Sequence, residues 1–248
     1  MTFDQILAKI DDFVWGVPLI VLILAAGLLL TIRTGFIQVR HLPRALRYLF
    51  KEEVSEEEEI VHGEVSGFAS LCTALSATIG TGNIVGVATA VGILAGGPGA
   101  LFWMWVAAFL GMATKYSEGF LAVKYRTVDE DGHVLGGPFY YIEKGMGVKW
   151  KWLAKIFAFF GACVGLMGIG TFSQVNGIAS AVTGFFDPNK TNTITLFGND
   201  YSIVTVISAF VLAILAGLVI IGGLKRISSV SQVVVPFMAI LYVLAVVV

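Results

Sequence analysis

A glycine-rich interruption in a long apolar stretch is the part of this sequence best suited to bind small charged molecules. Residues 80–86 read Gly-Thr-Gly-Asn-Ile-Val-Gly within the mostly apolar stretch 66–95. We expect a helix to break there, leaving one half ending in carbonyls and the other beginning with free N–H groups. Carbonyls at a negative helix end suit a cation such as Na⁺, and amides at a positive end suit a carboxylate. One break therefore offers both poles that a zwitterionic amino acid and a coupling cation need.

Polar side chains near the break would add further oxygen atoms at the same depth. They belong to Ser76, Thr78, Thr81 and Asn83. A later apolar stretch carries Gln174 and Asn176, which are two residues apart and cannot share one helix face. We predict that Gln174 points at the cavity formed by the break. The alternative is that these amides only join neighbouring helices by hydrogen bonds.

Two other interpretations of the glycines were weighed. Gly82, Gly86 and Ala90 form a ridge of small residues, which lets transmembrane helices pack closely. The pair Gly80 and Gly82 also resembles a phosphate-binding turn. Such turns follow a strand in a soluble βαβ unit, and no such strand precedes this one, so the nucleotide interpretation is excluded.

The composition predicts an all-α integral membrane protein. Hydrophobic residues make up 57% and charged residues 13%, with a mean hydropathy of +0.86; soluble domains carry about 25% charged residues. The net charge of −1 gives no basic surface for nucleic acid. We expect no catalytic residues, no organic cofactor and no disulfide, with Cys72 and Cys163 as packing residues.

Six stretches are long and apolar enough to cross a bilayer, which takes about 20 residues. They are residues 15–32, 66–95, 99–123, 152–185, 203–223 and 230–248. The second would be ~45 Å long as a straight helix, against a hydrocarbon core of ~30 Å, which favours a break. The fourth is also too long and predicts one strongly tilted helix.

Basic residues are distributed asymmetrically along the chain. All of the 16 lysines and arginines except Lys9 and Lys190 fall in or beside three regions that lie on one side of the predicted membrane. The positive-inside rule then puts those regions in the cytoplasm and the N-terminus outside, in a multi-pass plasma-membrane protein. Lys115 and Glu118 are functional candidates as ionisable residues in a span, but near an interface an i,i+3 ion pair or snorkelling is the expected role.

The chain divides into residues 1–65 and residues 66–248. The first part holds the outside N-terminus, one span and a cytoplasmic loop whose acidic run, 56–59, indicates a solvated linker. The second part holds the remaining spans. Within it, residues 136–145 fit either a short helix at the cytoplasmic interface or an ordinary connecting loop. The chain ends inside a hydrophobic span, so we expect it to be the front part of a longer protein.

Two runs carry a resemblance to a known family. Residues 96–111, Gly-Gly-Pro-Gly-Ala-Leu-Phe-Trp-Met-Trp-Val-Ala-Ala-Phe-Leu-Gly, resemble the signature of the alanine or glycine:cation symporter family. Residues 136–145, Gly-Gly-Pro-Phe-Tyr-Tyr-Ile-Glu-Lys-Gly, are similar to that family as well. The resemblance implies a leucine-transporter-like inverted-repeat fold. Here it would comprise an extra N-terminal helix and the first five-helix repeat, with the second span broken at mid-membrane and the second repeat absent.

The resemblance also implies roles for individual residues. The amides of Thr81 and Gly82, beside Gly80, would hold a substrate carboxylate, and the Thr78 carbonyl would meet its ammonium group. The carbonyls of Ser76 and Ile79 would lie at a sodium site that the absent repeat completes. Thr78 and Asn83 would correspond to a second sodium site.

The function expected from residues and resemblance together is sodium-coupled symport of small neutral amino acids, alanine and glycine, by alternating access across the lipid bilayer. Two alternatives remain. One is a structural or assembly subunit of the membrane that uses the ridge of Gly82 and Gly86, and the other is a cation channel whose filter is the broken helix.

Overall fold

A computed structural model describes residues 2–50, 65–92, 96–168, 170–189, 191–196 and 198–247. The chain forms two compact units. Unit 1 comprises Met1–Lys51 and Ala90–Phe159, and unit 2 comprises Glu52–Thr89 and Phe160–Val248. The acidic run 56–59 lies outside the described residues. Residues 90–159 thus join the N-terminal segment in unit 1, whereas the prediction placed all residues from 66 onward in one part.

Helices dominate both units. In chain order they are α1 (Phe3–Val14), α2 (Val17–Arg33), α3 (Ile37–Arg40), α4 (Leu42–Phe50), α5 (Gly67–Thr78), α6 (Val85–Val91), α7 (Gly97–Lys124), α8 (Pro138–Met146), α9 (Lys151–Met167), α10 (Thr171–Phe186), α11 (Ile203–Ile220) and α12 (Gly223–Val247). A search of the described residues finds five candidate membrane spans, or six if the bent pair of α5 and α6 is counted as one span. The prediction of an all-α, multi-pass membrane protein is confirmed.

Unit 1 is built on the packing of α2 against α7. A Cβ added at Gly27 would lie only 2.9 Å from Leu110 Cβ, so the missing side chain lets the two helices approach closely. Thr31 on α2 is 1% exposed, and its hydroxyl accepts a hydrogen bond from Gln38 Nε2 at 3.1 Å. That bond fixes α3 to the end of α2.

The end of α2 is a Schellman motif. The Phe36 N–H donates to the Thr31 carbonyl at 2.9 Å, and the Gly35 N–H donates to the Ile32 carbonyl at 3.1 Å. Gly35 supplies the left-handed conformation that the motif needs, with φ +63°. Residues from Ile37 onward are therefore not a continuation of the α2 span.

Residues 136–145, for which two interpretations were open, form helix α8 over Pro138–Met146. Lys151 Nζ lies 2.7 Å from Glu143 Oε1 and links α8 to the start of α9.

The predicted pair of Lys115 and Glu118 is also confirmed, at 2.8 Å. Partial burial raises the pKa of the Tyr141 hydroxyl on α8, and the Glu118 carboxylate raises it further.

In unit 2, α5 packs on α12 and α10 packs on α11. The buried faces consist of small residues, which lets the helix backbones approach; on α5 they are Ala69 and Cys72, and on α12 Ser228, Ser231 and Val235. Both cysteines are free, with Cys72 buried as a packing residue. Helix α12 begins at Gly223, seven residues before the predicted start, and so includes Lys225 and Arg226.

The fourth predicted span is confirmed as one apolar candidate over Val148–Phe186, but it is not the single helix expected. It consists of α9 and α10, separated at Gly168 and Gly170. Both glycines have positive φ, +60° and +88°, which residues with side chains rarely adopt. The backbone conformation of these glycines divides the helix.

Two small antiparallel hairpins were not predicted. In unit 1, β1 (Thr127–Val128) pairs with β2 (Val134–Leu135); in unit 2, β3 (Thr193–Leu196) pairs with β4 (Asn199–Ser202). Asp187, 5% exposed at the end of α10, ties the second hairpin down. Its carboxylate accepts from Ser202 Oγ at 2.7 Å and from the Thr191 N–H at 2.8 Å. These hydrogen bonds, led by that of Ser202, lower the Asp187 pKa.

Candidate functional site: the break between α5 and α6

The predicted helix break is present. Its residues, 78–83, lie in unit 2. Helix α5 ends at Thr78, a 3₁₀ turn covers Thr81–Asn83, and the segments on either side of the break meet at an angle of 73°. Two hydrogen bonds between Asn83 and Gly80 close the turn. Its N–H donates to the Gly80 carbonyl at 3.0 Å, and its Oδ1 accepts from the Gly80 N–H at 2.8 Å. The asparagine therefore stabilises the break itself.

Backbone groups on both sides of the break lack hydrogen-bond partners. The last carbonyl of α5 that accepts a backbone hydrogen bond is that of Leu75, whose donor is the Ile79 N–H at 2.8 Å. Within the described residues, nothing donates to the carbonyls of Ser76, Thr78 or Ile79, and the amides of Thr81 and Gly82 donate to no acceptor. Backbone groups left unpaired in a membrane segment need a ligand or water. The break thus presents free acceptors and free donors a few residues apart.

Helix α10 packs on the break through Gln174. A Cβ added at Gly80 would lie 2.3 Å from Gln174 Nε2 and 2.6 Å from its Oε1, so the carboxamide rests directly on the Gly80 backbone. Asn176 lines a different cavity, of about 420 Å³, together with Ser180 and Thr183. The structure therefore places one of the two amides at the break and the other away from it.

One turn further along α10, Gly177 makes room for Thr81. A Cβ at Gly177 would lie 2.8 Å from Thr81 Cγ2. The sequence analysis did not single out Gly177. The sequence could have indicated it, because Gly177 follows Gln174 by three residues and so lies on the same helix face.

Hydroxyl groups of α5 near the break turn back onto their own helix. Ser76 Oγ donates to the Thr73 carbonyl at 2.7 Å, and Thr78 Oγ1 donates to the Ala74 carbonyl. Their oxygen lone pairs remain able to accept or to bind a cation. Ser231 on α12 uses this capacity, since its hydroxyl donates to Ser76 Oγ at 3.2 Å. Sequence reasoning missed Ser231, although Ser228 and Ser231 at i,i+3 in an apolar helix marked a polar face.

Among the described residues, no helix packs against Gly82 or Gly86 of the ridge of small residues. A Cβ added at Gly82 or at Gly86 would have nothing within 4 Å. By contrast, Gly80 and Gly177 are both in close contact. In this structure the close packing at the break comes from α10 and not from the ridge.

Comparisons with known proteins agree on one family. A family model described as the sodium:alanine symporter family matches residues 1–248. The chain is 55% identical over 243 residues to an uncharacterized transporter of Haemophilus influenzae, covering 98% of this chain and 48% of that protein. It is 46% identical over 248 residues to the sodium/alanine symporter AgcS of Methanococcus maripaludis, covering 99% and 50%.

A third relative has a name that mentions a second cation. The putative sodium/proton-dependent alanine carrier protein YrbD of Bacillus subtilis is 40% identical over 237 residues, covering 96% of this chain and 43% of that protein. The chain thus spans about half the length of the curated relatives it matches.

Proposed function

The chain belongs to the sodium:alanine symporter family, a family of transporters and not of enzymes, and from that premise we propose that the intact protein is a sodium-coupled symporter of small neutral amino acids, with alanine and glycine as its first substrates. The single observation that carries the proposal is the break between α5 and α6. It brings unpaired carbonyls and unpaired amides together beside the Gln174 carboxamide.

The amides of Thr81 and Gly82 hold the substrate carboxylate. Charge-assisted hydrogen bonds from backbone N–H groups are the usual way to bind a carboxylate at a helix start. The Thr78 carbonyl accepts from the substrate ammonium group. Gly80, which has no side chain, leaves room for the Gln174 carboxamide, and that carboxamide supplies a polar group from α10 beside the substrate.

Sodium binds on the carbonyl side of the same break. The Ser76 and Ile79 carbonyls supply oxygen ligands, and oxygen is the donor that hard cations prefer. A second sodium position would use Thr78 and Asn83. Asn83 Oδ1 already accepts from the Gly80 N–H, and its second lone pair is the one available to a cation.

Transport proceeds by alternating access in a leucine-transporter-like fold. In this proposal the described helices are the extra N-terminal helix and the first repeat, and a second repeat supplies the remaining ligands. Bound Na⁺ favours the conformation that binds the amino acid, which couples the two fluxes. The protein lies in the plasma membrane with its N-terminus outside, as the distribution of basic residues favours.

Uptake into proteoliposomes tests this function against the alternatives. The intact protein should accumulate ¹⁴C-alanine saturably when a Na⁺ gradient is imposed. Unlabelled glycine should compete, and a proton gradient alone should not replace Na⁺. Ion current without alanine coupling would indicate a channel, and neither flux would indicate a structural subunit. Accumulation driven by protons alone would contradict the assignment of Na⁺.

A further inference from the structure

A cavity in unit 1 lies between the α3–α4 segment and α7, and its lining shares no residue with the proposed transport site. It has a volume of about 410 Å³ and is lined by Ile37, His41, Arg44, Ala45, Tyr48 and Tyr116. The lining offers a guanidinium group, an imidazole and two phenolic hydroxyls, and it has no Asp or Glu. Arginine with hydroxyl donors is a set well matched to the oxygen atoms of a phosphate.

The local charge also favours an anion. Within the described residues, Arg44 makes no ion pair with a carboxylate. The sequence contains no Asp or Glu from residue 13 to residue 50, while it contains Arg33, Arg40, Arg44 and Arg47. Among the described residues that line this cavity, a phosphate would therefore meet positive charge and no carboxylate.

A smaller and more apolar cavity adjoins the first. It has a volume of about 180 Å³, and it shares Ile37, His41, Ala45 and Tyr116 with its neighbour while adding Gln38, Leu42 and Met112. Cationic and hydroxyl donors thus stand beside an apolar groove. This juxtaposition suits a molecule with an anionic head and a hydrocarbon chain.

The position of the cavities is that of a membrane interface. The Schellman motif at Gly35 ends the α2 span, so α3 and α4 follow directly at the membrane surface. Helix α4 is amphipathic: Leu42 and Leu46, 52% and 51% exposed, lie on one side, and Arg44 and Arg47 lie on the other. Short amphipathic helices with basic polar faces lie in the plane of anionic membranes.

We propose that these two cavities bind one anionic phospholipid. Its phosphate lies among Arg44, His41, Tyr48 and Tyr116, and an acyl chain lies along Leu42 and Met112. The exposed leucines of α4 rest in the same leaflet. The site stands on unit 1 alone and does not depend on the amino-acid site in unit 2.

Native mass spectrometry of the delipidated intact protein tests the proposal. The protein is given equal amounts of phosphatidylglycerol and phosphatidylcholine in detergent. Wild type should retain phosphatidylglycerol in preference, and Arg44→Gln should weaken that binding about tenfold, as expected for one charge-assisted hydrogen bond. The matched control is Lys149→Gln, which removes one charge from an exposed residue that lines neither cavity. It should change binding less than about twofold.

A second variant keeps the test decisive if Arg44→Gln fails to fold. Tyr116→Phe removes one hydroxyl and retains the ring that stacks on Phe120; it should weaken phosphatidylglycerol binding while leaving the thermal unfolding curve unchanged. Equal losses in Arg44→Gln and Lys149→Gln would overturn the proposal, as would equal retention of both lipids by wild type. Displacement of the lipid by millimolar inorganic phosphate would assign the site to free phosphate and overturn the lipid assignment.

Discussion

Two glycines determine how closely side chains approach the break. Gly80 accepts the Gln174 carboxamide against its backbone, and Gly177 accepts the Thr81 methyl group. In both cases the missing Cβ of one residue provides the space for the side chain of another. The geometry of the amino-acid site is therefore set by pairs of residues on different helices, and each pair can be tested by itself.

Replacing Gln174 should weaken substrate binding without unfolding the protein. The carboxamide lies against Gly80, beside the groups proposed to bind the amino acid. Loss of one hydrogen bond to a charged ligand should lower alanine affinity about tenfold in Gln174→Ala. Asn176→Ala is the matched control, because Asn176 lines another cavity. Equal affinities of the two variants, measured by calorimetric titration with alanine in Na⁺, would show that Gln174 has no binding role.

The contact between Gly177 and Thr81 predicts a rescue. Gly177→Ala should strongly reduce alanine uptake, because its Cβ would lie 2.8 Å from Thr81 Cγ2 and overpacking of this kind costs about 1–3 kcal/mol. Thr81→Ser removes that methyl group while keeping the hydroxyl and the backbone amide. The double variant should recover most of the uptake lost by Gly177→Ala. No recovery in proteoliposomes would mean that the defect arises elsewhere.

At the scale of elements, the sequence predicts the break better than it predicts what surrounds it. Glycine and asparagine within an apolar stretch are unusual enough to mark the break near residue 80. The division of the fourth span at Gly168 and Gly170 was not predictable, because glycine is common inside transmembrane helices and only the backbone conformation distinguishes these two. The hairpin of β3 and β4 was missed for a related reason: its stability depends on Asp187 and on contacts distant in sequence.

The Asp187 carboxylate predicts a pH dependence of the β3–β4 hairpin. Because the pKa of Asp187 is lower in the folded state than its ordinary value of 3.8, its hydrogen bonds contribute full stability above that value. The contribution is lost as the pH falls through the lowered pKa and the carboxylate is protonated. The protection of the hairpin amides, measured as the ratio of intrinsic to observed exchange rate, should therefore fall below about pH 4.

Two variants check the cause of that loss of protection. Asp187→Asn should lower the protection of the hairpin at neutral pH and remove its further loss in acid. Ser202→Ala, which removes the largest contribution to the lowered pKa, should move the loss of protection to higher pH. An acid-dependent loss of protection that persists unchanged in Asp187→Asn would assign the effect to another group.

At the scale of the whole molecule, the two proposed sites fall in different compact units. The amino-acid and sodium site draws on α5, α10 and α12 of unit 2, whereas the lipid site draws on α3, α4 and α7 of unit 1. Loss of one activity should therefore leave the other intact. Composition and charge predicted a multi-pass helical membrane protein, but this assignment of elements to units follows from tertiary packing, which no local pattern encodes.

The central claim is that the break at Gly80 binds an amino acid together with Na⁺. Isothermal titration of the purified intact protein with alanine, in NaCl and in choline chloride, tests it most directly in wild type, Gly80→Ala and Gly86→Ala. The Gly80 backbone is extended, so alanine fits its conformation but pushes the Gln174 carboxamide aside, whereas a Cβ at Gly86 meets nothing within 4 Å. We predict Na⁺-dependent binding in wild type and Gly86→Ala, and affinity at least about tenfold weaker in Gly80→Ala. Wild-type affinity in Gly80→Ala, or alanine binding that is the same in choline as in sodium, would contradict the account.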